Sequence, residues 1–175
     1  NAAGGCRCAV VMEGVSRDTA FCFNDMIEAG EFLAWASKNF QNFKMAAEKT
    51  TRHGKLVDCK YLLEGNTVHM KCVYTTGDAA GQNIVTIATE AILNYIHANC
   101  PVKIKRSYVE GGMSGDKKAN TNVLTYVRGR RVVAEVTIPK SVCWTTLHAS
   151  PEDMVAASKV AMRGLLFNGT ISCNL

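Results

Sequence analysis

The sequence predicts an α+β fold in which a four-stranded antiparallel sheet carries two helices on one face and is followed by a strand-and-helix extension. Three observations support this. Apolar residues alternate with polar ones in several short runs, they recur every third and fourth position in two longer runs, and the order of these runs is strand, helix, strand, strand, helix, strand.

Ala9 to Met12 and Thr19 to Phe23 read as two short strands separated by a polar turn, Glu13 to Asp18. Between Glu28 and Glu48, Phe32, Ala36, Phe40, Phe43 and Ala47 fall on one face of a helix. Val57, Cys59, Tyr61 and Leu63 alternate in a strand. Across the turn Glu64-Gly65-Asn66, the alternation resumes at Val68, Met70, Cys72 and Tyr74, which predicts a hairpin. A glycine-containing turn, Thr75 to Gly81, leads to a helix with Ile84, Ile87, Ala88, Ala91, Ile92, Tyr95 and Ile96 on one stripe, ended by Pro101. Val102, Ile104, Arg106 and Tyr108 alternate in a fourth strand of the core pattern. Taken from Thr19 to Tyr108, the order is that of the split βαβ, or ferredoxin-like, arrangement.

After it come a glycine-rich loop, Glu110 to Gly115, a basic pair, a strand with Val132, Ala134, Val136 and Ile138 on one face, and helical segments from Lys140 and Pro151. The stretch Met154 to Leu166 is apolar enough to need a partner surface. Residues 1–109 are expected to form the ferredoxin-like domain with its N-terminal strand, and residues 110–175 the extension, folded together as one unit.

Composition bounds the classes open to this chain. Its 175 residues are 47% apolar, 7% aromatic and 20% charged, with a net charge of +5, which suits a soluble globular domain and excludes a disordered or Pro-rich chain. No apolar run reaches the length of a membrane-spanning helix, and no secretory signal is present, so a cytoplasmic location is expected. The eight cysteines lie one per element, without CxxC pairs or zinc-ligand spacing. They read as reduced, mostly buried thiols. His53, His69, His97 and His148 pair with no Cys or carboxylate at metal spacing, so no metal site is expected. Arg128, Arg130, Arg131, Lys103, Lys105 and Arg106 have no interleaved aromatics; a solvated sheet edge accounts for them better than nucleic-acid binding.

Some segments suit anion chemistry. Gly111 to Lys118 superficially resembles a phosphate loop, but Asp116 stands where the lysine should follow the last glycine, and no hydroxyl follows for magnesium. What remains is a loop ending in a carboxylate and two ammonium groups, equally readable as a solvated turn. Gly77 to Asn83 opens a helix with small residues that let a ligand approach its N-terminus, although an ordinary N-cap by Asp78 or Asn83 explains the same residues. Ser16-Arg17 and Thr50-Thr51-Arg52 are hydroxyl-plus-arginine pairs suited to phosphate, or surface turns.

Jointly these pieces resemble the hydroxymethylglutaryl-CoA reductase family. NAAGGCRCA at Asn1 to Ala9, EGVSR at Glu13 to Arg17, TTR at Thr50 to Arg52, GDAAGQN at Gly77 to Asn83, GDKKAN at Gly115 to Asn120 and GRRVVAEVTIP at Gly129 to Pro139 occur in the family's order at similar separations. The resemblance implies a small ferredoxin-like domain that binds NADP(H), with Arg17, Thr51 and Arg52 facing cofactor phosphates and Asp78, Gln82 and Asn83 along the dinucleotide. Lys117 would match the lysine that polarises the thioester carbonyl, with Lys118 beside it. Family members pair subunits across shared sites, which implies a homodimer.

The chain also departs from the family pattern. Glu110 and Gly112 replace the serine and asparagine of the family's SGN loop, and Thr170 stands where the family has a histidine. The family's upstream glutamate segment and downstream aspartate and histidine segments have no counterpart in these residues, so the chain is not expected to reduce hydroxymethylglutaryl-CoA by itself. The preferred expectation is a non-redox isomerase or cyclase acting on a small apolar terpenoid or polyketide metabolite, needing no cofactor, with Lys117, Asp116 and Glu110 supplying hydrogen bonds or proton transfer. The alternative is an NADP(H)-binding small domain of a reductase, or a pseudo-reductase that binds without catalysis.

Overall fold

A computed structural model of the chain describes residues 2–114 and 129–172, with the backbone alone over 165–172. It divides into two compact units, one of Met12–Arg131 and one of Asn1–Val11 with Val132–Leu175. The division passes through a first and a last strand, whereas the sequence reading put its joint after residue 109.

The strands are β1 (Arg7–Cys22), β2 (Lys55–Glu64), β3 (Thr67–Thr75), β4 (Arg106–Tyr108) and β5 (Gly129–Glu135). The sheet order is β2-β3-β1-β4, with β5 pairing β1 off that path. The β1/β3, β1/β4 and β2/β3 pairs are all antiparallel.

The first strand differs from expectation. The polar stretch Glu13 to Asp18 is not a turn: it continues β1, with Val15 opposite Tyr74 and Asp18 opposite Lys71. Polar residues persist in this strand because each finds a partner. Thr19 Oγ1 donates to the Met70 carbonyl at 3.0 Å, Ser16 Oγ donates to the Ser114 carbonyl at 3.2 Å, and the buried Asp18 carboxylate meets His69 Nδ1 at 3.0 Å. His69 thus draws its carboxylate partner from a neighbouring strand rather than from nearby in the chain.

The expected single helix is two, α1 (Met26–Lys38) and α2 (Phe40–Glu48). Asp25 caps α1 by accepting the Ile27 and Glu28 N–H groups at 2.9 Å. Asn39 ends it: its backbone N–H turns back to the Ala36 carbonyl at 3.0 Å and its side-chain amide donates to the Trp35 carbonyl at 2.9 Å. The apolar stripe survives the break, so Phe32, Ala36, Phe43 and Ala47 all reach the core. The third helix, α3, runs Gln82–Asn99 and buries Val85, Ala88, Ile92, Leu93 and Ile96.

These helices share a core with alternate residues of the sheet, Phe21 on β1 and Val68, Met70, Cys72 and Tyr74 on β3. Phe32 stacks at 4.7 Å from Phe21 and 5.0 Å from Phe23. Full burial of such side chains contributes about 1.5–3 kcal/mol each. The fourth strand is shorter than expected, because only Arg106–Tyr108 pair with β1. Val102 and Ile104 instead pack against the core as irregular chain.

In the second unit, the chain from Lys140–Val142 winds into a π-helical turn, Cys143–Leu147, and then into α4, Pro151–Ser172. Val132 and Val133 of β5 are exposed, and so are Val155, Val160 and Met162 of α4. Among the described residues no helix is long and apolar enough to cross a membrane. The seven described cysteines are all unbonded; Cys72 and Cys143 are buried, Cys22, Cys59 and Cys100 half-buried, and Cys6 and Cys8 exposed. The thiols are thus less buried than expected.

Candidate functional site

The first turn of α3 gathers residues from three separate segments. The turn before it needs glycine: Gly77 and Gly81 have φ of 60° and 81°. At Gly81 a Cβ would also lie 2.5 Å from Thr76 Cγ2. Gly81 is the N-cap, and no side chain caps the helix. The capping expected from Asp78 or Asn83 is therefore not made, which leaves the positive end of the helix dipole without a side-chain acceptor.

The turn that holds Thr51 packs against this helix start. Thr51 Oγ1 accepts the N–H groups of His53 and Gly54 at 3.1 and 3.0 Å, which folds the turn back on itself. Gly54 then sits so close to the helix that a Cβ there would be 2.7 Å from Ile84 Cγ2. Arg52 and Asn83 are exposed, and Gln82 is half-buried.

Arg17 reaches the same helix from β1. Its Nη2 donates to Gln82 Oε1 at 3.1 Å and to Thr86 Oγ1 at 2.7 Å, while Nη1 pairs with Glu110 Oε2 at 2.8 Å. Arg17 thus ties the sheet, α3 and the segment after β4 together, and Glu110 already neutralises it.

Asp78 is drawn the other way. Arg130 Nη2 donates to Asp78 Oδ1 at 3.1 Å and to the Gly77 carbonyl at 2.9 Å, and its Nε meets Glu13 Oε2 at 3.3 Å. The hydrogen bond to Asp78, and then that to Glu13, hold the Arg130 guanidinium above its ordinary range. These residues line a cleft of about 330 Å3 with Val15, Thr76, Ala79 and Gly129. Sequence reading assigned Arg130 to a solvated sheet edge; its signal was its place in the GRR motif.

A second polar cluster lies on the sheet face opposite the helices. Asp18 is fully buried, accepts the Met113 N–H at 3.0 Å through Oδ2, and has an Oδ1 without a partner among the described residues. Its backbone carbonyl takes the Gly111 N–H at 2.7 Å. Nothing in the sequence periodicity marks this pairing, because it depends on the loop after β4 folding back over β1.

Asp116, Lys117 and Lys118 lie outside the described residues. Of the expected catalytic trio, only Glu110 is placed. Among the described residues no cluster of His, Cys, Asp and Glu could hold a metal ion.

The family model described as hydroxymethylglutaryl-coenzyme A reductase matches residues 1–175. The 3-hydroxy-3-methylglutaryl-coenzyme A reductase of Haloferax volcanii is 35% identical over 98% of this chain and 44% of its own length. That of Halobacterium salinarum is 36% identical over 86% of this chain and 36% of its own length. The chain therefore spans less than half the length of these relatives. In fold it is similar to a class II reductase of Streptococcus pneumoniae solved with NADPH, with a TM-score of 0.53 at 14% identity over 78% of this chain and 35% of that one. With the family model matched from end to end, the chain belongs to the hydroxymethylglutaryl-coenzyme A reductase family.

Proposed function

We propose that this chain supplies the NADP(H)-binding portion of a reductase-family protein, with the first turn of α3 as the seat of the dinucleotide phosphates. One observation carries this reading: Arg17 from β1 and the Thr51–Gly54 turn before β2, with Arg52 exposed in that turn, meet α3 at a helix start that has no side-chain cap. Uncapped N–H groups and an exposed arginine suit phosphate oxygens. The ferredoxin-like description of the sheet belongs to the same proposal, and the antiparallel order β2-β3-β1-β4 supports it.

In this reading Arg52, exposed in the turn before β2, meets the phosphates and Arg17 is the brace. Asp78, held by Arg130, keeps the glycine turn in place at the edge of the cleft. Lys117 and Lys118 are proposed to act on substrate and cofactor as the family resemblance implies.

The reading as an isomerase or cyclase of an apolar metabolite gains no support from the described residues. Glu110, its one described candidate acid, has both carboxylate oxygens engaged by Arg17, Gly112 and Ser114.

Calorimetric titration of the 175-residue chain with NADPH tests the proposal. Saturable binding that weakens about tenfold or more in Arg52→Ala is expected, the scale of a lost charge-assisted contact. A chain that takes up no NADPH, or binds it equally well without Arg52, overturns it.

A further inference from the structure

Two thiols meet at the start of the first strand. Cys6 stands just before β1 and Cys8 within it, both are exposed, and their Sγ atoms lie 3.7 Å apart. Residues two apart on an extended chain point to one side, so Arg7 does not separate them. Cys59 and Cys72 form a second pair at 3.7 Å. That pair faces the core: Cys72 is fully buried, and its hydrogen bond with Cys59, then its burial, push its thiol up and away from the ionised form that reacts. The exposed pair is the one a dissolved reagent reaches.

The backbone around Cys6 has room to move. Gly4 and Gly5 precede it with φ of 83° and 107°, and a Cβ on either would meet nothing within 4 Å. Bringing the sulfurs to the bond length of about 2.05 Å in a disulfide therefore calls for a rotation beside Gly5 rather than a rebuilt sheet. Two residues of strand span about 6.6 Å, near the upper limit of about 6.8 Å that a disulfide tolerates between Cα atoms. The closed ring is thus strained as well as exposed, which makes it easily reduced again. Cys6 also lines a cavity of about 310 Å3, to which Arg7 contributes a cation and Glu135 an anion. Those charges match the carboxylates and amine of a small peptide disulfide.

We propose that Cys6 and Cys8 form a reversible thiol–disulfide exchange site for small peptide disulfides, with Cys6 as the attacking thiol and Cys8 as the resolving one. Cys6 Sγ, as the thiolate, attacks one sulfur of the incoming disulfide; its S–S bond breaks, and the departing half takes up the proton that Cys6 released. Cys8 Sγ then attacks the Cys6 sulfur of the mixed disulfide, expels the second half as a thiol and closes the Cys6–Cys8 bond. The chain loses two electrons and two protons, and one disulfide becomes two thiols. Neither cysteine is among the residues proposed to hold the dinucleotide, so the exchange goes beyond that reading and does not rest on it.

The test exposes the reduced 175-residue chain to glutathione disulfide, blocks remaining thiols by alkylation and reads intact mass and peptide maps. The native chain is expected to lose two hydrogens through a Cys6–Cys8 bond that dithiothreitol reopens. Cys8→Ser, which lacks the resolving thiol, is expected to hold glutathione on Cys6 at about tenfold or more the level of the native chain, because the neighbouring thiol outcompetes dissolved ones. Both side chains are exposed, so the serine variant keeps the fold. Three results overturn the proposal: Cys6 and Cys8 both alkylated while Cys59 and Cys72 oxidise, glutathione retained equally by the native chain and Cys8→Ser, or a bond that joins two copies of the chain.

Discussion

Asp18 and Gly111 show how closely single residues are fitted here. A methyl on Gly111 would meet Asp18 Oδ2 at 2.6 Å, Ala20 Cβ at 2.8 Å and His69 Nδ1 at 3.0 Å, so the loop must lift off β1. Gly111→Ala should lower stability by about 1–3 kcal/mol, the usual cost of overpacking, as read by urea denaturation. The buried thiol of Cys72 is pushed up chiefly by its hydrogen bond with Cys59 and next by burial, and burial pushes up the phenols of Tyr74 and Tyr61. All three are acids whose folded-state affinity for the proton exceeds that of the unfolded chain, so the unfolded state loses protons first. Stability should hold up to about pH 9, where an unfolded thiol begins to ionise, and decline above it; urea midpoints across pH 7 to 11 check the sign. Little of this was legible in the sequence. The alternation placed Cys72 and Tyr74 in the core, but Asp18 with His69, and Arg17 with Glu110, join residues far apart in the chain.

At the scale of elements, periodicity was a good guide wherever one face is buried. The β2–β3 hairpin and α3 lie close to where the pattern put them, with Cys59 opposite Cys72, but Val57, at a break in the β2/β3 register, and Ile87 are exposed although the pattern set them on the apolar faces. It misled where polar side chains are satisfied internally: Ser16, Arg17 and Asp18 looked like turn chemistry because strand burial of such residues requires partners that a local reading does not see. Asn39 is the complementary miss, a break that leaves the apolar stripe intact and therefore no gap in the pattern. Two substitutions probe the helices. Asp25→Ala removes the acceptor of two N–H groups and should cost about 1 kcal/mol, while Phe43→Ala empties a fully buried position in the aromatic row Trp35, Phe43, Tyr95 and should cost about 3–5 kcal/mol. Thermal melts of the two variants side by side give that ranking; equal losses would contradict it.

For the molecule as a whole, the family was legible because several weak motifs occur in one order, and that order is a stronger signal than any one of them. The site was only partly legible. Arg17 contacts α3 and the Thr51–Gly54 turn packs against it, as one site made of these motif residues would require, while Arg130 was passed over because its partners Glu13 and Asp78 come from distant segments. The dinucleotide is proposed to bind at that helix start, and amide shifts of the 15N-labelled chain on addition of NADPH locate it. The largest shifts are expected at Thr51, Arg52 and Gly77 to Asn83. Shifts concentrated instead around the other unit's cavity of about 310 Å3, at Gly4 to Arg7 and Glu135 to Thr137, or none at all, would contradict it.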